Sequence, residues 1–461
     1  MAPLPIRALI IATAAILTAP ASPLQAAYRQ ADWDDCRSND FERKIAGCTR
    51  MLNSQITKVD RAFALTNRAS AYLSHGDYDS AISDTTEAIA NYPDYVLANV
   101  DRSHAYLAKG DIENAISDAT TAIRSTPDYP AAYTARAHAY AAKRDYDGAI
   151  ADDTKAIALA PGYSGPWNLP HVETVYVERG NNYYAKGDYD RALADYDTAL
   201  RIEPDNASAM RNRGLAFEKK GDHAAAIDAF GDAIKADPKF APAYVNRAES
   251  YLQTDQYEPA MADYEAAIKL APDRPASYLG DRAMAYAGHG DFAHAIADYN
   301  EVIRLNVNNS AIYFMRGISN LYGTSAAKAM ADFDQSLALN PKDAYVQIWR
   351  EITAQRIHQP SRIADALGKV DMTSWPAPLL RLYAGQLAPD EALSAAGDPH
   401  ADAETRKGRL CEANFYSGEQ ALLKGTKDVA LTLFKNAVAE CPWNFVELAA
   451  AKAELRLTGA Q

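Results

Sequence analysis

Hydrophobic and polar positions repeat along this chain with a period of 34 residues. When the repeats are aligned, position 20 is alanine in all eight, position 8 is always small, and position 7 is always arginine. A helix-turn-helix unit of this length predicts an array of antiparallel helix pairs, which we call helix A and helix B. The eight repeats start at Ala62, Val96, Pro130, Glu173, Ala207, Ala241, Ala276 and Ser310.

Small and aromatic positions predict how the two helices of a repeat pack. Position 11 is aromatic in seven repeats, and position 24 is aromatic in the last five. We expect these rings to fill the space between helices, and the small residues to let the helices approach closely. The turn reads Gly-Asp in five repeats, which is typical of a glycine that ends helix A and an aspartate that caps helix B.

The arginine at position 7 recurs together with an aspartate at position 23, which seven repeats contain. One interpretation is an arginine ladder that binds a polyanion. The other is an ion pair that links the two helices of each repeat. We favour the ion pair, because the acid and the base recur together.

These residues resemble the tetratricopeptide repeat family over residues 62–343. The resemblance implies an all-α fold, a right-handed solenoid in which antiparallel helix pairs form a superhelix. It also implies a binding scaffold whose inner wall is lined by helix A, near positions 2, 5, 6, 9, 12 and 13. On this sequence the implied groove residues are Asn67, His104, His138, Asn181, Tyr184, Arg211, Asn212, Asn246 and Glu249.

Asparagines at position 6 of these repeats suit the backbone of an extended peptide, because an amide both donates and accepts hydrogen bonds. His104 and His138 share position 9 of neighbouring repeats, and a metal pair there is a weaker alternative. The family's clamp for a C-terminal carboxylate needs lysine at position 5 and asparagine at position 9. Asn181 stands beside Val177 instead, so we do not expect that mode of recognition.

Two irregularities interrupt the array. The fifth repeat has Ala229 where the others have aspartate, and its helix A carries extra charges that indicate either a functional site or drift on a solvated face. An insert at 164–172 separates the third and fourth repeats and predicts a hinge or a lip on the binding surface. After Asp343 the register is lost, so we expect an irregular helical linker at 344–410.

The register resumes at Cys411, which predicts a ninth hairpin at 411–444 and a C-terminal capping helix at 445–461. The segments 414–418 and 444–447 resemble the end of NlpI-like exported repeat proteins of Gram-negative bacteria. That resemblance implies an adaptor that holds cell-wall hydrolases or delivers them to a periplasmic protease. NlpI-like proteins are anchored through a leader cysteine that this sequence lacks, so neither anchorage nor their dimerisation is implied.

Residues 1–27 have the pattern of a signal peptide: one basic residue, an apolar run and two small residues before Tyr28. Residues 28–61 are then an N-terminal capping hairpin. The apolar run is too short to span a bilayer. We therefore expect a periplasmic or secreted protein with no integral membrane segment after cleavage.

Export changes how the four cysteines are interpreted, because an oxidising compartment favours disulfides. The repeat frame places Cys36 and Cys48 across the first hairpin, and Cys411 and Cys441 across the last. We expect these two bridges. The alternative, a metal site, would need CxxC spacing or nearby histidines, and neither pair has them.

Composition and motifs narrow the function. The net charge of −13 disfavours nucleic acid and anionic lipid as partners. The sequence has no Gly-rich phosphate loop, HExxH or GxSxG motif, so we expect no enzyme, no cofactor and no metal. The expected function is a periplasmic scaffold or adaptor that binds peptides or proteins in the concave groove. The alternative is a structural subunit of an envelope secretion or polymer-export complex; the partner and the oligomeric state stay open.

Overall fold

The computed structural model describes residues 30–162, 172–305, 308–442 and 444–459. Within these ranges the chain is helical and contains no β-strand, which confirms the all-α prediction. The chain divides into two compact units, residues 1–236 and 237–461. The predicted signal peptide and insert residues 164–171 lie outside the described residues.

The first unit is a stack of antiparallel helix pairs, in which each helix packs against the next along the chain. A 3₁₀ turn, Ala160–Gly162, follows α8. The described α-helices of the first unit are α1 (Gln30–Cys36), α2 (Phe41–Leu52), α3 (Lys58–His75), α4 (Tyr78–Asn91), α5 (Val96–Ala108), α6 (Ile112–Ser125), α7 (Pro130–Ala142), α8 (Tyr146–Leu159), α9 (Val172–Ala185), α10 (Tyr189–Ile202), α11 (Ala207–Lys219) and α12 (His223–Ala236).

The second unit begins with three more regular pairs, continues through shorter helices and ends in a long hairpin followed by one further helix. Its described helices are α13 (Ala241–Gln253), α14 (Tyr257–Leu270), α15 (Pro275–His289), α16 (Phe292–Arg304), α17 (Ser310–Gly323), α18 (Ala326–Leu339), α19 (Ala344–Arg356), α20 (Ile363–Leu367), α21 (Ala377–Tyr383), α22 (Pro389–Ala396), α23 (Ala403–Leu423), α24 (Lys427–Glu440) and α25 (Val446–Leu457).

The turns between the helices of a pair follow the predicted chemistry. Gly76 ends α3 with φ 80°, and the Asp77 side chain accepts a hydrogen bond from the Ser80 backbone N–H at the start of α4. A left-handed backbone suits glycine because it has no Cβ. The third and sixth repeats have Arg144 and Asp255 at the turn position, and both residues adopt a positive φ, at 64° and 57°. In these two repeats the path of the chain is therefore kept without glycine, whereas Thr324 of the eighth repeat has φ −138°.

Within a repeat, an aromatic ring of helix B fills the space above a glycine of helix A. A Cβ placed on Gly317 would lie 2.6 Å from a ring carbon of Phe333, which is fully buried. Gly180 meets Tyr196, Gly214 meets Phe230 and Gly418 meets Phe434 in the same way. Small residues at position 8 thus set the close approach of the helices, as predicted.

The predicted ion pair between positions 7 and 23 is confirmed. Each arginine donates Nε and an Nη to both carboxylate oxygens of the aspartate, and in Arg136 and Asp152 the side chains are only 20% and 9% exposed. An arginine held in this way does not face a groove, so the polyanion ladder is wrong. The pairs are Arg68–Asp84, Arg102–Asp118, Arg136–Asp152, Arg179–Asp195, Arg247–Asp263, Arg282–Asp298 and Arg316–Asp332.

Five of these seven arginines also link neighbouring helix pairs, because their second Nη donates to a polar side chain on helix B of the preceding pair. In the fifth repeat, where Ala229 replaces the aspartate, Arg213 instead lies 3.4 Å from both Asp197 and Asp232. Its pairing is thus looser than in the other repeats. The bonds to the preceding repeat are Arg68–Thr49, Arg102–Thr86, Arg136–Thr120, Arg179–Thr154 and Arg316–Asn300.

The stretch at 344–410 starts as a further helix A, a feature that sequence analysis missed. Arg350 on α19 donates to Asp334 of the preceding repeat at 2.6 Å, as a position 7 arginine does. The helices that follow replace a regular helix B and join the largest core of the second unit. There Trp349 stacks on Phe415, with ring centroids 5.3 Å apart. The segment that resembles NlpI-like proteins is therefore mostly core.

Replacing Gly317 by alanine should destabilise the second unit. The new Cβ would overlap the Phe333 ring, and overpacking of this kind costs about 1–3 kcal/mol. Gly280 is the matched control: it lies in α15, and nothing lies within 4 Å of a Cβ placed there. Gly280→Ala should stabilise by about 0.5–1 kcal/mol through helix propensity. Urea denaturation of the two variants measures the difference, and equal midpoints would contradict the close approach.

Candidate binding groove on the helix A face

The A helices line the concave side of the first unit. Besides packing against its own helix B, α3 contacts α5, α5 contacts α7, and α9 contacts α11. Successive A helices are thereby close to one another, which curves the stack towards them. We call the inner face of α3, α5, α7, α9 and α11 the first-unit groove.

Asn181 and Asn212, two of the predicted residues, are brought together on neighbouring A helices of this groove. The Asn212 Nδ2 donates to the Asn181 Oδ1 at 3.0 Å, and the Tyr196 hydroxyl donates to the same oxygen at 2.8 Å. These two bonds fix the orientation of the Asn181 amide. In the described part of the chain, the Asn181 Nδ2 and the Asn212 Oδ1 have no hydrogen-bond partner, so the pair presents one donor and one acceptor.

His104 and His138 also lie side by side, with ring centroids 6.1 Å apart. The His138 Nε2 lies 2.9 Å from Glu178 Oε2 on the next helix A, a partner that sequence analysis missed. Burial lowers the pKa of His104 to about 4. Burial also acts to lower the pKa of His138, but the charge and hydrogen bond of Glu178 outweigh it and raise that pKa to about 9. One imidazole is therefore neutral and its neighbour charged.

Asp153 lies beneath this ion pair, at the position where later repeats carry an aromatic ring. Its side chain is fully buried, one oxygen accepts a bond from the Asn182 Nδ2 at 3.0 Å, and the other has no hydrogen-bond partner within the described ranges. Burial, reinforced by the charge of Glu178, raises the pKa of Asp153 to about 8. A carboxyl group here is neutral near pH 7, which limits the cost of its burial.

Asp101 and Lys44 add charge at the N-terminal end of the groove. Burial raises the pKa of Asp101 to about 7, and burial lowers the pKa of Lys44. Lys44 moderates the shift of Asp101 through its charge, without an ion pair in the part of the chain that the structure describes. Both groups are half-buried, and they make this end of the groove polar rather than apolar.

The other predicted groove residues take different roles. The Asn67 Nδ2 donates to the Phe63 carbonyl of its own helix at 2.9 Å, so part of the hydrogen-bonding capacity of that amide is already occupied. Tyr184 packs edge-on against Tyr189. Burial raises the pKa of the Tyr184 hydroxyl, and the positive charge of nearby Arg211 acts to lower it. Asn246 and Glu249 lie half-buried on α13 in the second unit.

Both predicted cysteine pairs are at bonding distance. Cys36 and Cys48 join α1 to α2 with an S–S distance of 2.02 Å, and Cys411 and Cys441 join α23 to the end of α24 with the same distance. All four side chains are largely buried. They lie in terminal hairpins rather than in the groove.

Two acidic residues of the second unit were missed by sequence analysis. Glu412 accepts hydrogen bonds from the Trp375 Nε1 at 2.6 Å and from the Tyr345 hydroxyl, and Glu447 accepts one from the Tyr416 hydroxyl at 2.7 Å. Burial, with the charge of Glu447, raises the pKa of Glu412 to about 8. Both carboxyl groups are less than 10% exposed. Glu412 ties α23 to Tyr345 of α19 and to Trp375, and Glu447 ties α25 to Tyr416 of α23.

The described residues contain neither a cluster of metal-binding side chains nor a helix suited to a membrane. No group of three or more histidine, cysteine, aspartate or glutamate side chains there is placed to hold a metal ion. No helix there has both the length and the apolar character needed to cross a bilayer.

Sequence profiles described as tetratricopeptide repeat match residues 66–116, 100–164, 177–239, 241–274 and 281–344, which is more than half of the chain. The chain belongs to the tetratricopeptide repeat family. The all-α solenoid predicted from the repeat period is thereby confirmed. Proteins with this fold act as scaffolds that bind protein partners.

Solved structures of the same fold are similar over part of the chain. A tetratricopeptide repeat protein from Parabacteroides merdae is 21% identical, covering 56% of this chain and 98% of that one, with a TM-score of 0.43. PilF of Pseudomonas aeruginosa is 13% identical, covering 47% of this chain and 94% of that one, with a TM-score of 0.40. The C-terminal part of a tetratricopeptide repeat protein from Cytophaga hutchinsonii is 16% identical, covering 61% of this chain and 97% of that one, also with a TM-score of 0.40. At these values the likeness concerns the fold alone.

Glu178→Gln should lower the pKa of His138 from about 9, because it removes the charge that raises it. A raised histidine pKa stabilises the folded state below about pH 6.5, and that contribution is lost as the pH rises through 9. NMR titration of the imidazole carbons measures both histidines, and His104 near 4 is the internal reference. Glu113→Gln, on the exposed part of α6, is the control variant. A His138 titration that Glu178→Gln leaves unchanged would contradict the ion pair.

Proposed function

We propose that this protein is a periplasmic scaffold that binds a peptide or protein segment in the first-unit groove. The observation that carries the proposal is the Asn181–Asn212 pair, which offers one free amide donor and one free amide acceptor side by side. An extended peptide presents a backbone C=O and N–H in the same way, so one peptide unit can satisfy both side chains.

The groove is preorganised for this contact. The Tyr196 hydroxyl comes from helix B, where the ring is packed beneath Gly180, and it fixes which way the Asn181 amide points. A donor that is already oriented costs less side-chain entropy when a peptide binds. Arg211 and Tyr184 are on the same two helices as the pair, α11 and α9, and the charge of Arg211 acts on the Tyr184 hydroxyl.

The proposed location rests on the leader pattern and on the cysteines. Residues 1–27 read as a secretory signal, and both cysteine pairs are placed to form disulfides, which persist in oxidising compartments. The proposed partners are cell-wall hydrolases or a periplasmic protease, on the strength of the resemblance to NlpI-like proteins at 414–418 and 444–447. The proposal assigns no chemical reaction to the protein.

An affinity pull-down from a periplasmic extract tests the groove. The double variant Asn181→Ala/Asn212→Ala should lose the partner that the wild-type chain retains, because both free amide groups are removed. The matched control is Asn91→Ala/Asn114→Ala, which removes two asparagines from helices B of the same unit. Mass spectrometry of the eluates identifies what is lost.

Three outcomes are distinct. Loss of a hydrolase or protease from the groove variant alone supports the adaptor. Equal recovery by both variants would place binding elsewhere on the molecule. Recovery of envelope secretion or polymer-export components in place of soluble enzymes would favour a structural subunit instead.

The location can be tested by thiol trapping in cells. After acid quenching and denaturation, alkylation with a maleimide-polyethylene glycol should leave the exported chain unmodified, because its four cysteines are paired. Reduction before alkylation should add four labels and serves as the positive control. A variant without residues 2–27 stays in the cytoplasm and should be labelled without reduction. Labelling of the full chain without reduction would contradict export into an oxidising compartment.

A further inference from the structure

Arg350 is the position 7 arginine of α19, and its helix pair lacks the aspartate that its counterparts bind. Counted from Ala344, position 23 is Ala366, where seven repeats have an aspartate. The count holds in the structure, because His358, at position 15, has the positive φ that ends a regular helix A, here 57°. Only the short helix α20 then follows in place of helix B. Within the described residues, no carboxylate of α20 is bonded to Arg350.

Arg350 is also the most buried arginine at position 7. Its side chain is 10% exposed, whereas those of the eight repeats are 17–24% exposed. The Arg350 Nε donates to Asp334 at 2.6 Å, and the side chain has no other hydrogen bond in the described part of the chain. A guanidinium has five N–H donors, so most of them stay unused at a buried charge. Arg213 also lacks the aspartate, but it is less buried and lies near two acids.

The Arg350 side chain lines a cavity of about 200 Å³ between α18, α19 and α20. Ala366 lines the same cavity, which therefore adjoins the position that carries the carboxylate in other repeats. Asp334 and Leu337 line it from α18, a helix B, so this cavity is not part of the helix A wall. Drug-sized ligands occupy about 300–1,000 Å³, so a cavity of this volume suits a smaller group.

The lining of this cavity is positively charged in a chain that is negative as a whole. Arg362 and Lys369 lie just before and just after α20, both are exposed, and neither forms an ion pair within the described ranges. With Arg350 they make three cations, against the two acids Asp334 and Asp365. The lining thus has one net positive charge, although the chain carries −13. One positive charge matches a carboxylate better than a phosphate dianion, and a guanidinium binds a carboxylate through two parallel hydrogen bonds.

We propose that the cavity between α18, α19 and α20 is a binding site for a carboxylate group, which Arg350 binds in place of the aspartate of a regular repeat. Because Asp334 occupies the Nε, the two Nη groups hold the ligand, and Arg362 and Lys369 add positive charge. Two sources have this chemistry, a free small carboxylic acid and the C-terminal carboxylate of a peptide. The site belongs to the second unit, so it does not depend on the asparagine pair of the first-unit groove.

The test is an NMR titration of the full chain, with the backbone amide signals of residues 362–369 as the readout. The probes are propionate, the dipeptide N-acetyl-Ala-Ala with a free C-terminus, and the same dipeptide with a C-terminal amide, each against sodium chloride of equal ionic strength. Propionate and the free dipeptide should shift these signals saturably, and the amide should not. Tighter binding of the free dipeptide than of propionate would identify a peptide end as the source, and equal binding would identify a free acid.

Variants separate the guanidinium from simple charge. Arg350→Lys keeps the charge but loses the paired donors, so it should weaken carboxylate binding about ten-fold. Arg362→Gln/Lys369→Gln removes two exposed cations of the lining and should weaken binding several-fold. The matched control is Lys427→Gln/Lys435→Gln, which removes two exposed cations from α24 of the same unit and should leave the affinity unchanged.

The proposal is overturned if the amidated dipeptide binds as well as the free one, or if Arg350→Lys binds propionate like the wild type. An equal loss in the α24 control would reduce the effect to general electrostatic attraction and overturn it as well. Inorganic phosphate that shifts the signals when neither carboxylate does would contradict the assigned ligand class. Should Arg350→Lys fail to fold, the Arg362→Gln/Lys369→Gln variant and the amidated dipeptide decide the question, because neither disturbs a buried group.

Discussion

The arginine at position 7 of each repeat is the interaction on which the array depends. Its guanidinium binds the aspartate of its own helix B, and in several repeats it also reaches a polar side chain of the preceding repeat, as Arg136 does with Asp152 and Thr120. Burying an isolated charge is costly, and breaking a dry ion pair costs about 3–5 kcal/mol. Here both charges are largely buried and hydrogen-bonded, so the arginines join the two helices of a repeat and also join neighbouring repeats. Arg213, whose repeat lacks the aspartate, is the most loosely paired of these arginines in the first unit.

The residue of helix B that packs beneath each helix A determines the chemistry of the groove floor. From the fourth repeat onward an aromatic ring fills the space, and Tyr196 uses its hydroxyl to orient Asn181. In the third repeat the same place holds Asp153, and the helix A residue above it is charged His138 rather than an amide. The floor of the third repeat thus has a neutral carboxyl group beneath a charged imidazole, where the fourth repeat has a hydroxyl group beneath an amide. The groove is not a uniform surface, and its two parts suit different portions of a bound segment.

Sequence analysis predicted those features that depend on contacts within a repeat. The helix pairs, the turns and the Arg–Asp pairs follow from spacing alone, because each involves residues that the period places at fixed separations. It missed Glu178 as the partner of His138, since that contact joins different repeats and lies on a solvent-facing wall where the pattern varies. It missed α19 as a further helix A because no regular helix B follows. It could not place α25, because Ala453 and Ala287, which pack in one cluster, are far apart in the chain and alanine carries no signature of its partner.

The two disulfides lie in the first and last hairpins of the repeat array. A solenoid is held by nearest-neighbour contacts, so elements near its ends open more readily than those in the middle. Covalent links at these two places act on the fraying that exposes backbone to proteases. Inner repeats then open only through the costlier route of breaking contacts on both sides at once. Where proteases are present, the lifetime of such a molecule would be governed by the rate of that interior opening rather than by its ends.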